Sequence, residues 1–146
     1  MSKGNTFEND LLGLIFNNTD IADIGDASGL QNSATAGSLY VALHTADPGE
    51  AGTAATSEAA YGSYARQAIA RSGAGWTVTA NEAENAALIQ FPECSSGSET
   101  ITHVSITTAV SGTSKILYSG ALSASRSVSS GIQPQFAAAA LTVTED

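Results

Sequence analysis

LYVALHTADPGEAGT, residues 39–53, holds a short alternating strand that runs straight into an Asp-Pro-Gly turn. Leu39, Val41 and Leu43 fall on one face of an extended chain, and Tyr40, Ala42 and His44 fall on the other. Pro48 removes a backbone donor and Gly49 permits a positive φ, so the strand ends there. The small-residue loop that follows, 48–62, reads as mobile or as a partner contact.

Downstream the same rhythm continues. Strands are expected over 64–71, 76–80, 86–91, 100–107, 115–122, 126–129, 133–138 and 140–144. The turns between them are marked by SGAG, PECSSGS, VSGTS and SSG. Such spacing belongs to a mainly β protein, an antiparallel β-sandwich or partly open barrel, and not to alternating βα units. Upstream, residues 5–18 predict one N-terminal α-helix. Asn5 is the expected cap, with Glu8 reaching back as in a capping box, and Asn17 and Asn18 end the helix. Its apolar stripe is Phe7, Leu11, Leu12, Leu14 and Ile15. Residues 25–38 are rich in Gly, Ser, Ala and Asn and read as a loop or an extended arm. The expected organisation is a helix and arm over 1–38 and a β-sandwich domain over 39–146, together one structural unit.

Composition narrows the function. The chain of 146 residues suits one domain with a thin core, because alanine supplies much of its 42% hydrophobic content. Charged residues make up 13%, against a usual ~25%. Neutral side chains or partner subunits must therefore cover the surface. Net charge is −9, and the only strong cations are Lys3, Arg66, Arg71, Lys115 and Arg126. Five scattered cations make no footprint for nucleic acid or for an anionic membrane surface. The single cysteine, Cys94, permits neither an intrachain disulfide nor a multi-cysteine metal site. Glu8 and Asp10 interrupt the place where a signal peptide would carry its apolar core, and no apolar run approaches the ~20 residues of a membrane span.

The search for chemistry is negative. His44 and His103 both sit inside expected strands, and Asp47, close to His44, precedes a proline as in an ordinary turn. No G-x-S-x-G elbow and no phosphate loop is present. Glu82 and Glu84 share a strand face without a third group, and Asp20, Asp23 and Asp26 miss the spacing of a calcium loop. No catalytic, metal or cofactor residue is assigned. The scarce aromatics Tyr40, Tyr61, Tyr64 and Trp76 anchor either the core or an interface, where such residues are enriched. Arg66 is expected to pair with an acid across a subunit boundary. The candidate contact set is Phe7, Leu11, Ile15, Tyr40, Asp47, Pro48, Tyr61, Tyr64, Arg66 and Trp76.

Read together, LYVALHTADPGEAGT, YARQAI, AALIQFPE, ITHVSI, ILYSGAL and QFAAAALTV, in that order, resemble a family of small tailed-phage virion proteins. The resemblance runs from about Asn5 to Thr144. It departs from the family pattern in a longer loop over 20–38 and in Ala139, where glycine is common. Members are often labelled tail-fibre proteins, and others look like capsid decoration (cement) proteins. The resemblance implies a non-enzymatic virion protein without cofactors, made in the host cytoplasm. A compact acidic domain without shaft, repeats or coiled coil favours a cement protein on the capsid surface, and the resemblance then implies binding to the major capsid protein and to itself as a homotrimer. A tail-associated adhesion protein is the alternative.

Overall fold

Among the described residues helix α1 (Asn5–Asn17) precedes nine strands: β1 (Ser38–His44), β2 (Gln67–Ala70), β3 (Trp76–Thr79), β4 (Glu82–Asn85), β5 (Ile89–Gln90), β6 (Ser98–Thr107), β7 (Ile116–Ser129), β8 (Gln135–Phe136) and β9 (Thr142–Thr144). This is a computed structural model, and it describes residues 2–146. The strands form open sheets in the orders β2-β1-β6-β7, β3-β4-β9 and β5-β8, none of them closed into a barrel. The pairs β1–β6, β6–β7, β3–β4 and β4–β9 are antiparallel. The protein is thus mainly β with one N-terminal helix, as the turn spacing predicts. The chain divides into two compact units, one of residues up to Ser38, Ile69–Leu88 and Phe136–Asp146, the other of Leu39–Ala68 and Ile89–Gln135.

In the first unit, α1 packs against β3 and β4. Its cap is Gly4, not Asn5, and no side chain caps it. Gly4 is extended, with φ −84° and ψ 143°, and its carbonyl accepts the Glu8 N–H at 3.1 Å. The expected capping box is therefore absent. Asn18 ends the helix at φ 56°, a left-handed conformation that asparagine tolerates. The buried face is Glu8, Leu12 and Phe16, four residues apart. Of the expected stripe only Leu12 is buried; Phe7 is 38% exposed, and Leu11, Leu14 and Ile15 are half-buried. The Trp76 ring selects that face: Phe16 meets it edge to face, with centroids 4.7 Å apart.

Arg71 closes the C-terminal end of α1, donating to the carbonyls of Leu14 (2.6 Å), Ile15 (2.7 Å) and Ala36 (3.0 Å). It thereby satisfies carbonyls the helix leaves open and sets a cation at the negative end of the dipole. The segment after the helix is folded back, not an outstretched arm. Ile21 and Leu30 exchange two backbone bonds of 2.8 and 3.0 Å, and the Asn18 amide clasps the Ser33 backbone at 2.8 and 2.9 Å. Asp20 accepts from the Asn32 N–H, and Asp26 from Ser28 and Gly29. The acidic spacing here is turn chemistry.

Several expected strands shift. The 86–91 strand shortens to β5 and an unexpected strand, β4, forms one segment earlier, while the strands at 115–122 and 126–129 are one strand, β7. Opposite Thr102, residues 122–125 of β7 have no partner in β6, so a wide bulge joins its two halves. Residues 137–140 turn instead of extending. The buried Asn85 side chain staples this turn, donating to Ala137 O and Ala87 O and accepting from Leu141 N–H. Ala139, the position where the resembled family has glycine, lies at φ 59°. A left-handed alanine costs ~1 kcal/mol or more, partly offset by the extra freedom glycine has when unfolded. Ala139→Gly is expected to raise the urea midpoint by the equivalent of about 0.5 kcal/mol, and a lowered midpoint would contradict the strain.

Candidate interaction groove beside β7

In the second unit β1 lies between β2 and β6, with Tyr40 opposite Thr107 and His44 opposite His103. Val41, Ala42, Leu43 and His44 are all buried, so both faces of this strand are covered over its second half. The strand then enters the Asp-Pro-Gly turn. Asp47 stays exposed and accepts the Gly49 N–H at 2.9 Å, whereas Pro48 is buried. Gly49 takes φ +69°, and a Cβ on Gly52 would strike the Pro48 carbonyl oxygen. Both glycines are therefore required for the loop to close as it does.

This loop forms one wall of an open groove of about 570 Å³, and residues 113–119, leading into the first half of β7, form the other. Glu50 stands on the first wall and Lys115 on the second. Among the described residues no strand pairs with the outer side of β7.

Two buried polar centres fix the walls. His44 Nδ1 lies 2.9 Å from the Thr56 carbonyl, which can only accept, so Nδ1 carries the proton. Nε2 then accepts the Ser105 hydroxyl at 2.7 Å. The dyad resembles a serine–base pair, but both side chains are buried, at 0% and 1% exposure, out of reach of any substrate. Its role is to hold the returning strand of the loop, which also receives Thr45 N–H at Ser57 O (2.8 Å).

The second centre is Arg66. Its Nε and Nη2 grip the two Glu58 oxygens at 2.6 and 2.7 Å. The remaining N–H groups donate to Ala109 O (2.9 Å), Gly112 O (2.7 Å) and Ser114 Oγ (3.1 Å). All five guanidinium donors are thus used inside the chain. Burial costs Arg66 less than the bond to Glu58 gains, and the net effect is a pKa raised above its usual value. Tyr64 completes the cluster, donating to Glu58 Oε1 and accepting the Leu43 N–H. Its phenol is pushed up chiefly by burial. Arg66 therefore ties the β1–β2 connection to the β6–β7 loop, and Ala54 N–H on Ser114 O (3.0 Å) joins the two walls directly.

The structure also sorts the contact set. Trp76, Tyr61, Arg66 and Pro48 are buried in the chain's own interior. Tyr61 donates to Pro92 O, and burial pushes its hydroxyl up to about 12. Arg66 pairs with Glu58 of its own chain, not with an acid across a subunit boundary. Phe7 and Asp47 are exposed, and Leu11, Ile15, Tyr40 and Tyr64 are half-buried. Sequence reasoning missed Glu58 and Ser114, and it marks VSGTS (110–114) only as a turn. Only a buried cation at Arg66, demanding a carboxylate, could have pointed to Glu58.

Burial lowers the His44 pKa below its ordinary 6.5. The unfolded chain then binds a proton that the folded chain resists, so the stability His44 contributes is complete above pH 6.5 and is lost as pH falls toward the folded pKa. Urea unfolding between pH 7.5 and 5.0 is expected to show a declining midpoint, with a slope of at most ~1.4 kcal/mol per pH unit from this group. His44→Gln is expected to flatten that decline; an unchanged decline would assign it to other groups.

No curated protein matches the chain. A family match, however, covers nearly all of it. Through residues 3–144 the chain belongs to the family described as Podophage GP4 fiber I protein gp80, a family of phage virion structural proteins.

Proposed function

We propose that the protein is a non-enzymatic subunit of a virion appendage of the fibre type, and that it works by adhering to other protein subunits. What carries this reading is the match of residues 3–144 to a family described as a podophage fibre protein. The geometry agrees with it. The polar centres His44–Ser105 and Arg66–Glu58 are spent on holding loops, and the open features are a sheet edge and a groove. Phe7, Leu11 and Ile15 of α1 and Tyr40 of β1 keep part of their surface exposed for contacts. A second reading, capsid decoration on the major capsid protein, is favoured by one observation: the longest helix among the described residues has 13 residues, and no coiled-coil shaft is present there. Such a protein binds only the assembled shell and stabilises it by mass action.

Antibody-gold labelling and cryo-electron microscopy of intact particles separate the two. Label at the tail or on projecting fibres supports the first reading. Density spread over the shell, with lower heat resistance of particles lacking the protein, supports the second. Absence from the particle overturns both.

A further inference from the structure

Three of the five strong cations are consumed inside the chain. Arg66 holds Glu58 and two loop carbonyls, Arg71 holds the end of α1, and Lys3 holds Glu145 at 3.1 Å. The other two, Lys115 and Arg126, are exposed and form no ion pair among the described residues. Both belong to the β7 edge, Lys115 just before the strand and Arg126 within it. No acidic residue lies between positions 115 and 129. In a protein of net charge −9, the one open edge flanking the groove is therefore locally cationic.

An unpaired edge presents a row of backbone donors and acceptors ready for another strand. Register shifts at 122–125 and again at Leu117 limit the regular part of the edge to Tyr118–Ala121, whose start lines the groove. Its walls are fixed in advance by Arg66 and His44, which lowers the ordering cost of docking.

The geometry points to a second copy of this chain as the occupant, adding its β9 edge to β7 in a head-to-tail, heterologous contact. This rests on the reading of the protein as a many-copy virion component. Charge complementarity selects the strand. β9 is an edge of its own sheet and is followed by Glu145 and Asp146, with Glu82 and Glu84 on the neighbouring β4. Lys3 holds both Glu145 and the Asp146 main-chain oxygen, the latter at 2.6 Å, whereas the Asp146 side chain is exposed. An antiparallel register with Val143 opposite Tyr118 sets Thr142 against Ser119 and carries Asp146 past the Leu117 irregularity to the Lys115 end of the strand. Glu50 on the facing wall repels carboxylates and so confines them to the Lys115 end. The rival isologous contact of β7 with β7 is disfavoured, because it brings Lys115 and Arg126 of the two copies together without a counter-charge.

The test is sedimentation velocity on the full chain over a concentration series, at low and high salt. Wild type is expected to self-associate, and salt to weaken the association. Lys115→Glu alone and Asp146→Lys alone are expected to remain monomeric. Mixing the two variants, or combining them in one chain, is expected to restore association, since each then meets an opposite charge. Both side chains are exposed, and unchanged thermal melts by circular dichroism establish that the variants fold. A wild-type chain that stays monomeric throughout overturns the proposal. So does association that Lys115→Glu leaves unchanged, or strengthens as a β7–β7 contact would. Localisation on the particle is measured separately, so failure here leaves the virion reading standing.

Discussion

Arg66→Ala is expected to destabilise the second unit by about 3–5 kcal/mol, the usual consequence of leaving a buried charge without its partner. Arg66 is 4% exposed, and its partner Glu58 would lose both charge-assisted bonds at once. The carbonyls of Ala109 and Gly112 would lose their donors too. That second loss separates this cluster from a simple ion pair. Replacing both members of a simple buried pair by apolar residues is often neutral or stabilising. Here the double variant Glu58→Leu, Arg66→Met removes the stranded charge but still leaves two loop carbonyls without their guanidinium. It is expected to recover only part of the loss seen in Arg66→Ala. Urea unfolding measures the free energies, and deuterium uptake across 108–114 reports the loop. Full recovery in the double variant, with unchanged uptake, would show that Arg66 acts as a charge partner and not as a loop tie.

How much of this was legible in the sequence follows from the range of the interactions. β1 and its turn were readable because alternation, proline and glycine act over a few residues. The helix was readable for the same reason, but its buried face was not. Periodicity favoured the Phe7–Leu11–Ile15 line, whereas Trp76, sixty residues downstream of Phe16, decides which side packs. β4 was missed because its sequence, EAEN, has little strand propensity; it is a strand because β3 and β9 pair with it on both sides. The bulge in β7 was read as a break for want of any signal in the small residues around 122–125. At the groove, the Asp-Pro-Gly turn is legible as the end of β1 and Arg66 as a charge seeking an acid. The identity of that acid lay beyond reach, since Glu58 sits in a small-residue loop whose path depends on His44 and Ser105. Lys115 and Arg126 became informative only when the other three cations were seen to be occupied.

Trp76→Ala is expected to cost the first unit about 3–5 kcal/mol and to melt α1 with it. Trp76 is fully buried and is the largest such side chain in the protein. Its removal takes away the ring that Phe16 meets edge to face, and with it the surface on which Leu12 and Phe16 are buried. A helix of 13 residues does not persist in water without that packing. Helical circular dichroism should therefore fall together with stability, and not only at elevated temperature. Trp76→Phe gives the contrasting result. The indole N–H has no acceptor among the described residues, so the tryptophan carries the cost of a buried, unpaired donor. Phenylalanine keeps an aromatic ring against Phe16 and removes that donor, at the expense of some volume. Its loss is expected to be about 1–2 kcal/mol, well below that of alanine. If Trp76→Phe were as damaging as Trp76→Ala, the ring contact with Phe16 would not be what holds α1, and the orientation of the helix would have to be assigned to Arg71 and the carbonyls it binds.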